Sequence, residues 1–488
     1  MISTATVLVS SPIHWFEETM QIPLQAWQLD KASPMTLTQQ LLQLAQQQIR
    51  GQHWHAGAKL PSVRVLSEHL AVSKFTVAEV YERLTAQGLT VSRHGSGVYV
   101  ARQHPVLQLN DAVNESSALA TEVALMRQTL QRQSDWHKPA AGWLTPEWMP
   151  ESDLRDALKS VAREGQALTD YGPAQGYLPL RQYLVNRLSQ LNMALEPAQM
   201  LLTASATHAL DLVVRLLLKP GEKVLVDDPG FYNFQAIMRL HQLELVFLPR
   251  TAQGPDLQAL ATLLQQHKIR AYLTNSVLSN PVGTCVAPPI AFKVLDLLKQ
   301  HQVLLIEDDI YADFESTHAL RYNSLTGFER SIYIGSLSKT ISADMRVGYI
   351  VASSAIVASL TDLKLMTTTS TPATIERVIY KVLTSSGYSR HIKQLHRRLD
   401  ECRMEVLKQF AKRGWYPWHE PTAGFALWMC LPEGLSARAL ALAARDARIV
   451  LAPGGHFSQQ ADADRFMRFN ITQCTDVLWH WLDGYVHQ

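Results

Sequence analysis

The chain has 488 residues, enough for about two to four domains at roughly 100–200 residues each. With 47% hydrophobic and 18% charged residues, wholesale disorder, collagen-like repeats and disulfide scaffolds are excluded. A net charge of +2 points by itself to neither a nucleic acid nor a membrane. The distribution says more: residues 31–104 hold eight Lys or Arg against three Glu, which marks that segment as a candidate polyanion binder. Cys285, Cys402, Cys430 and Cys474 form no C-x-x-C pair, so neither a metal site nor a disulfide framework is expected, and a reducing cytoplasm fits. Met1–Ser33 opens with an apolar run through Val9 but continues into Glu17 and Glu18 without a basic start; it is read as an N-terminal extension, not a signal peptide. No run approaches the ~18 apolar residues of a membrane span.

In chain order, Leu37, Leu41, Leu44 and Ile49 predict an amphipathic helix from Pro34 to about Arg50. Further helices are expected at Ser62–Ala71 and Ser73–Gln87, and Leu89–Val100 reads as a hairpin around His94-Gly95-Ser96-Gly97. Three helices and a hairpin make a small α+β winged-helix pattern over residues 34–102. Ser73, Lys74 and Thr76 fall on the first turn of the third helix, where side chains reach base edges and amides meet phosphates, while Arg64 approaches from the helix before. Leu60-Pro-Ser-Val-Arg64, Ala71-Val-Ser-Lys-Phe-Thr-Val77, Tyr81-Glu-Arg-Leu84 and Arg93-His-Gly-Ser-Gly97 together resemble the GntR-type winged helix-turn-helix. That resemblance implies a double-stranded DNA operator as partner, with contacts from Arg64, Ser73, Lys74, Thr76, His94 and Gly95. Lys74 stands where arginine is usual and Ala78 where arginine is frequent, which removes the planar fork that reads guanine. Residues 103–139 are richer in Gln, Ser, Asn and His and read as a linker, with Leu119, Val123, Met126 and Leu130 spaced for one helix.

From residue 140 to 488, helical stretches alternate with the short β-type runs Lys223–Val226, Ala271–Thr274, Val303–Ile306 and Ser331–Ile334. This predicts an α/β domain around a mostly parallel sheet, whose ligands bind at the carboxyl ends of the strands. Ser336-Leu-Ser-Lys-Thr340 and Arg346-Val-Gly348 follow one such run; a lysine there can condense with an aldehyde, and the hydroxyls and arginine can hold a phosphate. Glu307-Asp-Asp-Ile-Tyr311 follows another, placing an acid where it could keep a pyridine nitrogen protonated, and Asn280-Pro-Val-Gly283 adds an amide. These motifs resemble the fold-type-I aminotransferases that use pyridoxal 5'-phosphate. The resemblance implies Lys339 as the Schiff-base lysine, Asp308 as the partner of the pyridine nitrogen, and Asn280 and Tyr311 at the phenolic oxygen. It further implies Phe231 stacked on the ring, and Ala206, Thr207, Ser336, Ser338 and Arg346 at the phosphate. Tyr171 would reach the phosphate of a neighbouring subunit, and Arg468 would clamp a substrate carboxylate. Thr203-Ala-Ser-Ala-Thr207 lacks a glycine common in that loop, and Val282 replaces a usual threonine.

A GntR-like reader joined to an aminotransferase-like domain is similar to the MocR-type transcriptional regulators. The resemblance implies a cytoplasmic homodimer that binds DNA and senses an amino acid or amine in its large domain. The competing expectation is a working aminotransferase with an accessory DNA-binding module, since no catalytic group is missing.

Overall fold

Side-chain caps set the helices of the N-terminal unit. Thr36 accepts from the Gln39 amide while the Gln39 side chain accepts from the Thr36 amide, a reciprocal cap that starts α1 (Leu37–Arg50). Ser62 caps α2 (Val63–Leu70), and Ser73 caps α3 (Lys74–Ala86), accepting from the Thr76 amide at 3.0 Å. Strands β1 (Thr90–Arg93) and β2 (Gly97–Val100) pair antiparallel with Arg93 opposite Gly97. Gly95 turns the hairpin at φ +71°, a left-handed conformation that a side chain would strain. Each predicted helix in this unit is present, two or three residues shorter than its expected span, with the capping residue standing outside the helix in each case.

The computed structural model describes residues 20–30, 33, 35–101, 118–131, 135–165, 168–315 and 317–486. Its contacts divide the chain into Met1–Asn114 and Glu115–Gln488. Most of the extension read over 1–33, and residues 103–117 and 132–134 of the expected linker, lie outside the described residues. The described part of the extension belongs to the reader's core. Ile22 donates its amide to the Lys59 carbonyl at 3.0 Å, Lys59 returns one to Met20 at 2.9 Å, and Trp27 is 1% exposed, its ring 4.8 Å from that of Trp54.

The large unit is built on an eight-stranded sheet. Its strands are β3 (Met200–Thr203), β4 (Lys223–Asp228), β5 (Glu244–Thr251), β6 (Gly254–Pro255), β7 (Ile269–Thr274), β8 (Leu304–Asp309), β9 (Ser331–Ser336) and β10 (Gly348–Val351), in the order β3-β10-β9-β8-β7-β4-β5-β6. The run β9-β8-β7-β4-β5 is parallel; β10 runs antiparallel to both neighbours, and β6 antiparallel to β5. Both faces are covered, so alternate residues enter different cores: Val224 and Val226 pack with Leu210 and Met238, while Leu225 packs with Leu260 and Val294. A second, antiparallel sheet of β11 (Tyr416–Pro417), β12 (Ala426–Cys430), β13 (Ala452–Pro453) and β14 (Phe466–Asn470) packs against the long helix Ser386–Ala411 through Leu427, Phe469, Leu399 and Phe410. Within the stretch read as a linker, α4 (Ala118–Leu130) packs on the large unit, burying Leu125 among Tyr232, Val282 and Phe457. No helix among the described residues is long and apolar enough to cross a membrane.

Replacing Trp27 by Ala removes the largest buried ring of the reader. A loss of about 3–5 kcal/mol is expected, seen in calorimetry as an early transition of the reader with the melting of the large unit unchanged.

Candidate cofactor cleft and DNA-reading surface

Because β4, β7, β8 and β9 run parallel, their carboxyl ends share one edge of the sheet. Asp308 sits at the end of β8, 3% exposed, where its Oδ1 accepts from Asn275 Nδ2 at 3.0 Å and from the Ile310 amide at 3.3 Å. Burial raises its carboxyl to about 7, with Asp309 adding to the rise and the Ile310 amide, Lys339 and Asn275 opposing it. Lys339, beyond β9, donates from Nζ to the Gly142 carbonyl. Burial first, then the positive charges of Arg468 and Arg346, bring the lysine down to about 8 against the pull of Asp308.

Arg468 projects from β14 and is 2% exposed. It donates from Nη1 to Asn280 Oδ1 at 3.2 Å and from Nη2 to the Ala140 carbonyl, and its guanidinium lies 5.0 Å from the centre of the Phe457 ring. Among the described residues no carboxylate pairs with it. Asn280 Nδ2 in turn donates to the Tyr311 hydroxyl at 3.1 Å, so Arg468, Asn280 and Tyr311 form one chain of hydrogen bonds beside Lys339. Residues 140–143 form a strap over this group, held also by Asn470, whose Nδ2 donates to the carbonyls of Ala141 at 3.0 Å and Trp143 at 2.8 Å. Phe231 stands at the start of the helix Tyr232–Leu240, beyond β4, and is half-buried.

The phosphate candidates lie around the end of β9, the start of β10 and the helix start that follows β3. Gly348 opens β10 and pairs across to Thr203 at the end of β3 and to Ser336 at the end of β9. A Cβ on Gly348 would lie 2.5 Å from the Ser205 carbonyl carbon and 2.6 Å from the Ala206 amide nitrogen. The glycine missing from 203–207 therefore has a counterpart across the strand pair, which lets β10 pass beneath the start of the helix Ala206–Leu217, where Thr207 also lies. Ser338 Oγ is buried with no hydrogen-bond partner. Arg346 is exposed and holds φ +51°.

Tyr171 is not brought to this group within one chain; its side chain is 81% exposed. Its loop is nevertheless pinned. Lys364, fully buried, donates to the carbonyls of Ala174 at 2.8 Å and Leu202 at 2.9 Å, and Glu376 accepts from the Tyr177 amide at 2.7 Å. Sequence reasoning missed Asn275, the Gly142 carbonyl, Asn470 and this Lys364 network. Asn275 directly follows β7 and the strand-end rule finds it once applied there; a carbonyl partner such as Gly142 leaves no side-chain signal.

On the reader, Ser73 Oγ lies 2.8 Å from Thr76 Oγ1, and Lys74 is exposed. Arg64 is exposed and paired with Glu68 at 3.1 Å, a surface pair of little energy. His94 and Gly95 are exposed at the hairpin tip, where Arg93 stacks 4.6 Å from the centre of the Tyr99 ring.

Residues 145–478 match the family "aminotransferase class I and II", and residues 37–100 match the bacterial regulatory proteins of the gntR family. Over 459 residues the chain is 30% identical to the HTH-type transcriptional regulator YdcR of Escherichia coli strain K12, covering 91% of this chain and 95% of that protein. The chain belongs to the MocR-type family of GntR-aminotransferase fusions. This fusion is also 28% identical to the 2-aminoadipate transaminase of Thermus thermophilus, over 68% of the chain and 84% of that enzyme. In fold, the large unit is similar to the crystal structure of LysN, an alpha-aminoadipate aminotransferase from the same organism, at a TM-score of 0.68 and 24% identity, covering 76% of this chain and 98% of that one.

The lowered Lys339 has a direct consequence for pH. Only the neutral amine reacts with an electrophile, so in cofactor-free protein the trinitrophenylation of Lys339, followed by peptide mass spectrometry, should accelerate about tenfold per pH unit and level off near pH 8. Asp308→Asn, which removes the opposing carboxylate, should move the plateau lower. A plateau reached only above about pH 10, the range of an ordinary lysine, would contradict the assigned environment.

Proposed function

We propose that this MocR-type chain is a DNA-binding transcriptional regulator whose large unit holds pyridoxal 5'-phosphate and responds to an amino acid or ω-amino acid. The observation that carries the reading is Arg468: a buried guanidinium without a carboxylate partner among the described residues, in the same cleft as Lys339, on a chain that also carries a reader. A buried arginine satisfied by one backbone carbonyl and one side-chain amide oxygen keeps its charge available for a ligand carboxylate, which it can grip with two parallel hydrogen bonds.

The residues fit the cofactor. The unpartnered Ser338 hydroxyl, the Ser336 hydroxyl, Arg346 and the helix start at Ala206 and Thr207 offer donors and positive charge to a phosphate, and Gly348 lets β10 run close against that helix start. Asp308 would face the pyridine nitrogen, Asn280 and Tyr311 the phenolic oxygen, and Phe231 the ring. Tyr171, exposed on its own chain, would serve the second copy of a homodimer. When bound, pyridoxal phosphate supplies an electrophilic carbonyl that Lys339 and an incoming amine can exchange. The chain's own part is to bring Lys339 down to about 8, so that a large share of it is neutral near that pH, to hold the proton between Asp308 and the ring nitrogen, and to orient a carboxylate on Arg468. An amino acid that binds two conformations of the large unit unequally shifts their populations, and DNA affinity follows when the readers are placed differently in the two.

A transaminase reading is favoured by one feature: Lys339, Asp308 and Arg468 are all retained. The two separate in one set of measurements on purified full-length protein. Reconstitution with pyridoxal phosphate should give a visible absorption band that Lys339→Ala lacks. Amino acids should change the affinity for upstream duplex DNA by about 5- to 150-fold, and Arg468→Ala should lose that response while keeping the band and basal DNA binding. Lys74→Ala or Arg64→Ala should weaken DNA binding, a typical contact being worth ~1–3 kcal/mol, with the band intact. Steady turnover with a keto acid and no ligand effect on DNA would assign the chain to the enzymes.

A further inference from the structure

The reading helix exposes an aromatic ring that neither the core nor the assigned contacts use. α3 buries Val77, Val80, Tyr81 and Leu84 on one face, and Phe75 lies off that face, 77% exposed. Ala78, at the i+3 position, shares the outer side and is half-buried, so a small side chain stands beside the ring. Reading helices present their N-terminal residues to the major groove, which is where Phe75 sits, one residue beyond the exposed Lys74.

The polar chemistry of this turn is sparse. Between Ser73 and Glu79 there is no Arg, Asn or Gln, the side chains that read guanine or adenine with two hydrogen bonds. Lys74 is a point charge without a fork. Glu79 is engaged by Arg83 at 2.5 Å, and the Ser73 and Thr76 side chains are committed to capping the helix and to each other. Beside these polar groups the turn presents an apolar pair, Phe75 and Ala78. The major groove offers one apolar group, the C5-methyl of thymine, and Phe and Ala are suitable partners for it.

We infer that Phe75, with Ala78 beside it, is a specificity-determining residue that packs on a thymine methyl in each half-site, so that an A·T pair is demanded where the guanine contact of a forked arginine would otherwise fall. The inference rests on the DNA-binding reading above. It explains together the two departures at Lys74 and Ala78 and the exposed ring.

The test uses full-length protein and duplexes selected by it from a random pool. Replacing single thymines with deoxyuridine removes only the methyl. At one or two positions per half-site this should weaken wild-type binding by about fourfold per methyl. Phe75→Ala should bind the thymine duplex several-fold more weakly and be indifferent to deoxyuridine there. Phe75→Leu should keep part of the preference, and both variants should melt like wild type because the ring is exposed. An unchanged selected site and affinity in Phe75→Ala overturns the inference, whether the ring then proves to cover another protein surface or nothing. So does an equal cost of deoxyuridine in wild type and variant. If wild-type protein enriches no duplex at all, the DNA-binding reading itself fails, a result distinct from either of these.

Discussion

Parallel pairing of β4, β7, β8 and β9 is the constraint from which the cleft follows. Parallel strands must each be followed by a crossover, so every chain exit at their carboxyl ends opens on the same edge, and the polar residues that begin the crossovers are forced together. Phe231, Asn275, Asp308 and Lys339 are distant in sequence and neighbours for this reason alone. The antiparallel β10 completes the arrangement from the other direction: its first residue, Gly348, rather than its last, reaches the shared edge between Thr203 and Ser336.

The electrostatics of the cleft are lopsided. Lys339 and Arg468 are buried in the same cleft as the Asp308 carboxylate, and Arg468 together with the exposed Arg346 already depresses the lysine. Cations gathered at low dielectric are destabilising unless an anion joins them, and among the described residues no carboxylate pairs with Arg468. The Ala140–Trp143 strap moderates this cost with carbonyl oxygens alone. Carbonyl dipoles offset part of a buried charge without neutralising it, which keeps Lys339 and Arg468 responsive.

How much of this could be read from the amino-acid order depends on where the information resides. Side chains that carry chemistry at strand ends, such as Lys339, Asp308 and Asn280, announce themselves by type and by the apolar runs before them. Helix starts at Thr36, Ser62 and Ser73 do the same through capping chemistry. Gly142 and Ala140 act through backbone oxygens, which every residue possesses, and so leave no trace. Trp27 lies in a segment without periodicity, and its burial depends on Trp54, which is fixed only by the folded reader. Gly348 is visible as a glycine, but its closeness to Ser205 depends on a strand pairing between distant parts of the chain. Phe75 looks like one more apolar residue of an amphipathic helix until the buried face is known.

The helix α4 has a mechanical meaning beyond its packing. It is the first described element of the large unit, and Leu125 is set among Tyr232, Val282 and Phe457. Those three residues adjoin Phe231, Asn280 and Arg468 respectively, so α4 rests on the outer wall of the cleft, one layer of side chains from any occupant. From Leu125 back to Ala118 the helix runs about 10 Å at 1.5 Å per residue, so a tilt of a few degrees at its seat displaces its start by about half an ångström. The seat of α4 is therefore the lining of the cleft itself.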